Sequence, residues 1–166
     1  MELRIKIVSR IEDLLSQEWN SVFPKVLENY NFFKTLDESS FEQFKFFYIL
    51  VYQGDVPIGA ATCFLMDFPL DISVAGPLKK LTDGIKKILP GLINPKVVVC
   101  GMPMGCGRIG ISRFSPEVIE IIQQGLEKIA NDHKAPMILF KDFTESYQNV
   151  LNPLSKNSFI RIESLP

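Results

Sequence analysis

Glycines concentrate in one stretch of the chain, where a turn could bind an anion. This stretch contains Gly101, Gly105, Gly107, Arg108 and Gly110. It follows the β-branched run at residues 97–99 and precedes the helix-start signal Ser115-Pro116-Glu117, in which Ser115 is an N-cap residue. Backbone N–H groups in such a turn and at a helix N-terminus can bind phosphate oxygens. The predicted cofactor-binding residues are Met102, Gly105, Gly107, Arg108 and Gly110.

The same letters allow two other interpretations. Gly105, Gly107 and Gly110 spell G-x-G-x-x-G, the fingerprint of a dinucleotide-binding unit. That unit places the fingerprint after the first strand of a parallel set, whereas here a predicted hairpin comes earlier in the chain, which disfavours it. A glycine-rich surface connection without any ligand also remains open.

Titratable residues near this stretch are few. Asp142 stands at a predicted strand end beside Lys141, where it is a candidate general base, although an ion pair or a helix cap also explains it. His133, the single histidine, lies at a predicted helix end, where the helix dipole stabilises a cation. Cys106 is a candidate nucleophile without a visible partner base.

Composition excludes several classes of protein. Of 166 residues, 46% are apolar and 13 are Phe, which disfavours disorder, and 18 basic against 19 acidic side chains give no global attraction for nucleic acid. Three cysteines, an odd number, favour reduced thiols over a disulfide framework. No run is long and apolar enough to span a bilayer, so we expect a cytoplasmic protein. One histidine and scattered cysteines predict no metal site.

Hydrophobic periodicity predicts the elements that must position these residues. The predicted elements are a strand at 3–7, a helix from 9 or 11 to about 24, a short helix at 31–36, strands at 44–53 and 56–66, a helix at 78–89, a strand at 97–99, a helix at 118–131, a strand at 135–143, a helix at 144–157 and a strand at 159–162. Gly54-Asp55 joins the second and third strands in a hairpin, and Pro57 indicates an edge or a bulge. The order implies a single α/β domain with a mixed sheet and helices on both faces.

This order of elements resembles the GNAT (acyl-CoA N-acyltransferase) superfamily. The text FFYILVYQGDVPIGAATCFLMDFPLD and the shorter segments AGPLKKL, VVVCGMP, LFKDF and SFIRIESLP resemble the Fem-related branch, which is associated with peptidoglycan biosynthesis or recognition. The resemblance implies a mixed, largely antiparallel sheet with helices on both faces. It also implies one GNAT-like unit at residues 1–166, the N-terminal unit of a two-unit protein or a truncated relative.

The resemblance further implies a reaction. An acyl-CoA such as acetyl-CoA, or an aminoacyl-tRNA in the Fem-related branch, would donate an acyl group to a small-molecule or peptide amine. A second GNAT unit or a second copy of the chain would be the protein partner. In the family, a Q/R-x-x-G-x-G/A loop after the fourth strand holds the cofactor pyrophosphate. The glycine-rich stretch matches this loop in location, but it is longer and places Arg108 inside the run.

Many members of the family protonate the leaving thiolate with a tyrosine near the final strand. The corresponding position here is nearest Leu154, and Tyr147 lies about two helical turns earlier. The predicted catalytic residues are therefore Asp142 and Tyr147. A GNAT-like module that binds a substrate or a partner without catalysis is the alternative.

Overall fold

The computed structural model of the protein describes residues 2–24, 26–39, 41–68, 94–112 and 116–162. The predicted helix at 78–89 and the predicted N-cap Ser115 lie outside these residues. The first elements are β1 (Leu3–Val8), a 3₁₀ turn (Ile11–Asp13), α1 (Ser16–Val22), α2 (Tyr30–Glu38), β2 (Lys45–Gln53) and β3 (Val56–Asp67).

The first predicted helix is wrong as a single helix, because the chain is extended at Leu14 and Leu15. Leu14 is buried, whereas Leu15 is 68% exposed, so the extended pair sends neighbouring side chains in different directions. A tertiary contact holds the preceding turn, since the Ile11 N–H donates to Asp37 Oδ2 on α2 at 2.8 Å. This long-range bond is absent from any local pattern.

The predicted hairpin is confirmed, and the irregularity expected near Pro57 is a bulge. Strands β2 and β3 pair along nearly their whole length, from Gln53 opposite Val56 to Lys45 opposite Leu65. The register shifts where Val51 faces Gly59 but Tyr52 faces Pro57. The extra residue on β3 is a bulge, as proline near a strand start indicates.

The later elements are β4 (Lys96–Cys100), β5 (Ile109–Ile111), α3 (Pro116–His133), β6 (Met137–Phe140) and α4 (Gln148–Leu151), with 3₁₀ turns at Glu145–Tyr147 and Asn152–Asn157. The predicted helix at 144–157 is thus broken into three short pieces. The end of α4 has a local cause, because Pro153 lacks the N–H that would continue the helix.

The predicted last strand is also wrong. Residues 159–162 pair with no strand among the described residues, after Ser158 turns the chain with a left-handed φ of 67°.

The sheet is mixed and largely antiparallel, in the order β1-β2-β3-β4-β6, with β5 also paired to β3. Only β4 and β6 run parallel among the described strand pairs. Both faces are covered, because β2 alternates between two cores: Phe47 and Ile49 pack with α3, whereas Tyr48 and Leu50 pack with α1 and α2. We call these the α3 core and the α1–α2 core. The predicted fold class is confirmed.

Candidate functional site

Strands β4 and β5 are two parts of one interrupted strand along β3. The Gly101 N–H donates to the Thr62 carbonyl at 3.0 Å, and the next partner of β3, opposite Ala61, is Ile109. The Ser112 N–H then donates to the Ile58 carbonyl at 3.0 Å. Residues 102–108 are therefore looped out of the strand, and we call them the looped segment. The glycine-rich stretch does not run directly into a helix, because β5 pairs with the free edge of β3 before the next helix begins.

The looped segment is attached to three parts of the molecule. Met102 is buried in the α1–α2 core. The Gly107 N–H donates to the Asp142 carbonyl oxygen at 3.0 Å. Arg108 Nε lies 3.0 Å from Glu28 Oε1, in a pair that is 44% exposed on the arginine side and 18% on the glutamate side. These contacts leave Met104 at the tip, 81% exposed.

Close packing accounts for two of the glycines predicted to bind a cofactor. A Cβ at Gly110 would lie 2.6 Å from the Val22 carbonyl oxygen, and one at Gly107 would collide with the Lys141 carbonyl oxygen. Gly105 differs, because its φ of 86° requires glycine while the space around it is open. Hence the backbone positions of Gly107 and Gly110 are set by protein neighbours.

The predicted catalytic residues lie next to the looped segment. Tyr147 Oη donates to the Ile109 carbonyl oxygen at 3.2 Å, and its ring packs edge-on against Phe143 with centroids 5.2 Å apart. Asp142 has a left-handed φ of 54°, and its carboxylate forms an ion pair with Lys141. The structure therefore brings the end of β6 and the looped segment together, although they are far apart in sequence.

The outer edge of β5 carries backbone groups that face away from β3. Because Ser112 bonds to Ile58, the alternation of an antiparallel ladder turns the N–H and C=O groups of Ile109 and Ile111 outward. Of these groups, the Ile109 carbonyl oxygen accepts a hydrogen bond from the Tyr147 hydroxyl. No described residue bonds to the Ile111 backbone groups. This edge was missed from sequence, although the alternation Ile109-Gly110-Ile111 was a weak signal of a strand.

Helix α3 begins close to this edge. Its first residue, Pro116, has no N–H to offer a ligand. Val118 is fully buried, and its side chain fills the space that a Cβ at Gly59 on β3 would need. The family loop pattern Q/R-x-x-G-x-G/A, aligned to this helix start, falls on residues 113–118, RFSPEV, with Pro116 and Val118 at the glycine positions.

The remaining candidates, His133 and the cysteines, differ in their surroundings. His133 ends α3 and lies 5.3 Å from the Phe47 ring, centroid to centroid. Cys106 is an exposed free thiol, whereas burial raises the pKa of Cys63 and Cys100, which face each other across β3 and β4. Within the described ranges, no cluster of three His, Cys, Asp or Glu side chains could hold a metal ion.

The helices in the described part of the chain are too short or too polar to cross a membrane.

No family model matches the sequence, and a search of the curated proteins also finds no match. Among solved structures, an aminoglycoside N-acetyltransferase in complex with CoA is similar, with a TM-score of 0.61 and 9% identity over 99% of this chain and 92% of that one. A ribosomal-protein-alanine N-acetyltransferase from Brucella melitensis biovar Abortus 2308 aligns with a TM-score of 0.59 and 7% identity over 100% and 97%. A GNAT family acetyltransferase from Staphylococcus aureus aligns at 0.54 and 12% over 99% and 96%.

These similarities define a fold. The chain has the GNAT fold over its length, at identities too low to carry an activity from any one of these proteins.

Proposed function

We propose that the protein transfers an acyl group from an acyl-CoA donor, acetyl-CoA first among them, to an amine. The observation that carries this proposal is the outward-facing edge of β5 beside the Tyr147 hydroxyl. The pantetheine arm of CoA is extended and contains amide groups, which can hydrogen-bond to a strand edge as an added strand does. Ile111 offers such an edge next to the start of α3. The similarity to a structure containing CoA supports the same donor.

The reaction assigns roles to the residues at this edge. The amine nitrogen attacks the thioester carbonyl, a C–N bond forms and the C–S bond breaks, so the leaving thiolate needs a proton. The Tyr147 hydroxyl, which points at Ile109 on β5, is the proposed acid. The attacking ammonium must first lose a proton, directly or through water. Asp142 is the proposed base, and it must act from its ion pair with Lys141.

Donor binding is tested by calorimetry of the unmodified protein with acetyl-CoA, and with ADP as the control. We expect saturable binding of acetyl-CoA and much weaker binding of ADP, because ADP lacks the pantetheine arm that would pair with β5. Equal binding of both compounds would indicate a nucleotide site without an acyl-CoA function. Absence of binding to any CoA ester would overturn the proposal.

Catalysis is tested with Tyr147→Phe. Loss of a general acid should lower kcat roughly 100-fold while KM for acetyl-CoA changes little. Tyr30→Phe, at the start of α2, is the matched control and should keep its rate. An unchanged kcat in Tyr147→Phe would remove the hydroxyl from the mechanism and leave it as a structural bond to Ile109.

A second candidate is a GNAT-fold module that binds without catalysis. It is favoured by the start of α3, where Pro116 removes an N–H and Val118 fills the position of a family glycine. Gly107 and Gly110 are likewise occupied by protein contacts. This candidate predicts acceptor or partner binding with no turnover of acetyl-CoA in the presence of any amine.

The finer identity rests on the sequence resemblance to the Fem-related branch. On that basis we propose a cytoplasmic protein with a peptidoglycan-related amine as acceptor, and an aminoacyl-tRNA as the alternative donor. The chain would act as one GNAT unit, residues 1–166, with a second unit or a second copy as partner. A panel of amines, including a lysine-containing peptidoglycan precursor peptide, tested with acetyl-CoA and with an aminoacyl-tRNA would separate these donors and acceptors.

A further inference from the structure

Strand β6 has one backbone edge that no described strand pairs with. It is the last strand in the order of the sheet, with β4 on one side. The Lys141 N–H donates to the Cys100 carbonyl at 3.0 Å, so residues of odd number turn their backbone groups toward β4. The N–H and C=O groups of Ile138 and Phe140 therefore point away from it. In the part of the chain that the structure describes, no strand receives them.

The side chains of β6 are less buried than those of its neighbour β4. Met137 and Leu139 pack on the α1–α2 core, and Ile138 and Phe140 pack on the α3 core, yet all of them are only half-buried. The residues of β4 after Lys96 are buried, since β4 has strands on both sides. An apolar edge strand that is accessible on both faces is a template for another strand.

The segment at residues 158–162 has apolar side chains that match the apolar edge of β6. Phe159 packs against Phe140 with ring centroids 5.5 Å apart, so the segment starts beside the end of β6. Beyond it, Ile160 and Ile162 are 85% and 84% exposed. Apolar side chains at alternate positions are typical of a strand that is buried on one face. Here that face is in solvent.

We infer that two copies of the chain pair by exchanging this segment, so that residues 158–162 of each copy add to the outer edge of β6 in the other. Within the described residues, each copy offers the outer edge of β6 and, beside it, an apolar segment that pairs with no strand. A reciprocal exchange therefore satisfies both in a closed two-fold dimer. The exchange buries Ile160 and Ile162 and gives partners to the backbone groups of Ile138 and Phe140.

Light scattering after size exclusion, over a range of concentrations, tests this inference on the full chain. We expect a dimer, and we expect Ile160→Ser/Ile162→Ser to raise its dissociation constant at least about tenfold while the circular dichroism spectrum is retained. Both isoleucines are exposed in the single chain, so the substitutions should not unfold it. Val56→Ser removes a different exposed β-branched side chain, 62% exposed, and should leave the dimer intact.

Cross-linking separates exchange from other arrangements. In a Cys106→Ser background, Ile138→Cys and Ile160→Cys are placed on separate copies, mixed and treated with a short bismaleimide. We expect cross-linked dimers that contain one copy of each variant. A monomer at every concentration, a dimer insensitive to Ile160→Ser/Ile162→Ser, or cross-links formed only within one chain carrying both cysteines would each overturn the inference.

Discussion

Gly110 on β5 packs against the C-terminal end of helix α1. A side chain there would lie 2.6 Å from the Val22 carbonyl oxygen and 2.9 Å from the Phe23 ring. Neither neighbour has room to retreat, because Phe23 is 5% exposed and packs against the Trp19 ring at 5.1 Å. Glycine at this position therefore has a packing cause that is independent of any ligand.

Gly110→Ala should destabilise the protein by about 1–3 kcal/mol, the usual effect of overpacking a core. Urea unfolding followed by circular dichroism measures the change. Ser112→Ala is the control in the same strand path, since its hydroxyl is at 3.3 Å from the Pro57 carbonyl and its loss should change stability by less than about 0.5 kcal/mol. Equal stability of wild type and Gly110→Ala would show that α1 moves away from β5 without cost.

Tyr52 should make the protein sensitive to alkaline pH. Burial, and then the hydrogen bond from its hydroxyl to Glu18 Oε2 at 3.0 Å, raise the pKa of Tyr52 to about 12. An unfolded tyrosine ionises near pH 10, so its contribution to stability is complete below about pH 10 and is lost as the pH rises toward 12. Between pH 9 and 11, Tyr52→Phe should therefore lose less Tm than wild type. Parallel losses in the two proteins would contradict the assignment.

At the scale of elements, the looped segment is an interruption that the rest of the chain holds in place. Gly101 and Ile109 continue the same ladder on β3, while Arg108 reaches the connection between α1 and α2 at Glu28. The segment thus links the end of β6 to the connection between α1 and α2. An ion pair with one partner nearly half exposed contributes modestly.

A double-mutant cycle on Arg108→Ala and Glu28→Ala should give a coupling free energy of about 0.5–1 kcal/mol in favour of the pair. Urea unfolding of the four proteins at low and high salt measures it. The coupling should decrease at high salt, because the arginine is partly exposed. A coupling near zero at both salt concentrations would mean that Met102 and the Gly107 hydrogen bond hold the segment without a contribution from the ion pair.

The hydrophobic pattern of the sequence predicted the elements that keep an apolar run or an apolar face over their whole length. β2 is aromatic and β-branched without a breaker, and α3 keeps an apolar face from Val118 to Ile129, so both were predicted at nearly their observed positions. β5 was missed because a strand of three residues with a glycine at its centre has too little pattern of its own. The last strand failed for the opposite reason, since residues 159–162 have the pattern but lack a partner among the described residues.

The candidate site divides in the same way. Asp142 was predicted from its residue type at a strand end and Tyr147 from the resemblance to the family, and the structure places both beside the looped segment through the Gly107 and Ile109 backbone. The outward-facing edge at Ile111 could not be predicted, because it depends on which residue of β3 pairs with Ser112. The roles of Asp142 as base and Tyr147 as acid with a bound donor stay proposals.

At the scale of the whole molecule, one sheet joins two cores. The middle strands contribute side chains to both: β2 alternates between them, and β4 sends Val98 and Cys100 to the α3 core but Val97 and Val99 to the α1–α2 core. Loss of packing on one face therefore weakens the strands on which the other face packs. The two cores should unfold as one cooperative unit.

The chain offers a reporter on each face for testing this. Trp19, the single tryptophan, is fully buried in the α1–α2 core, and the thiols of Cys63 and Cys100 are fully buried in the α3 core. In a Cys106→Ser background, tryptophan fluorescence and thiol labelling in urea should give coincident transitions. Leu126→Ala on α3 should destabilise both by about 2–5 kcal/mol, whereas Gln124→Ala, exposed on the same helix, should move neither. A fluorescence midpoint that stays in place while thiol labelling shifts would show two independent cores, and the shared strands would then not couple the faces.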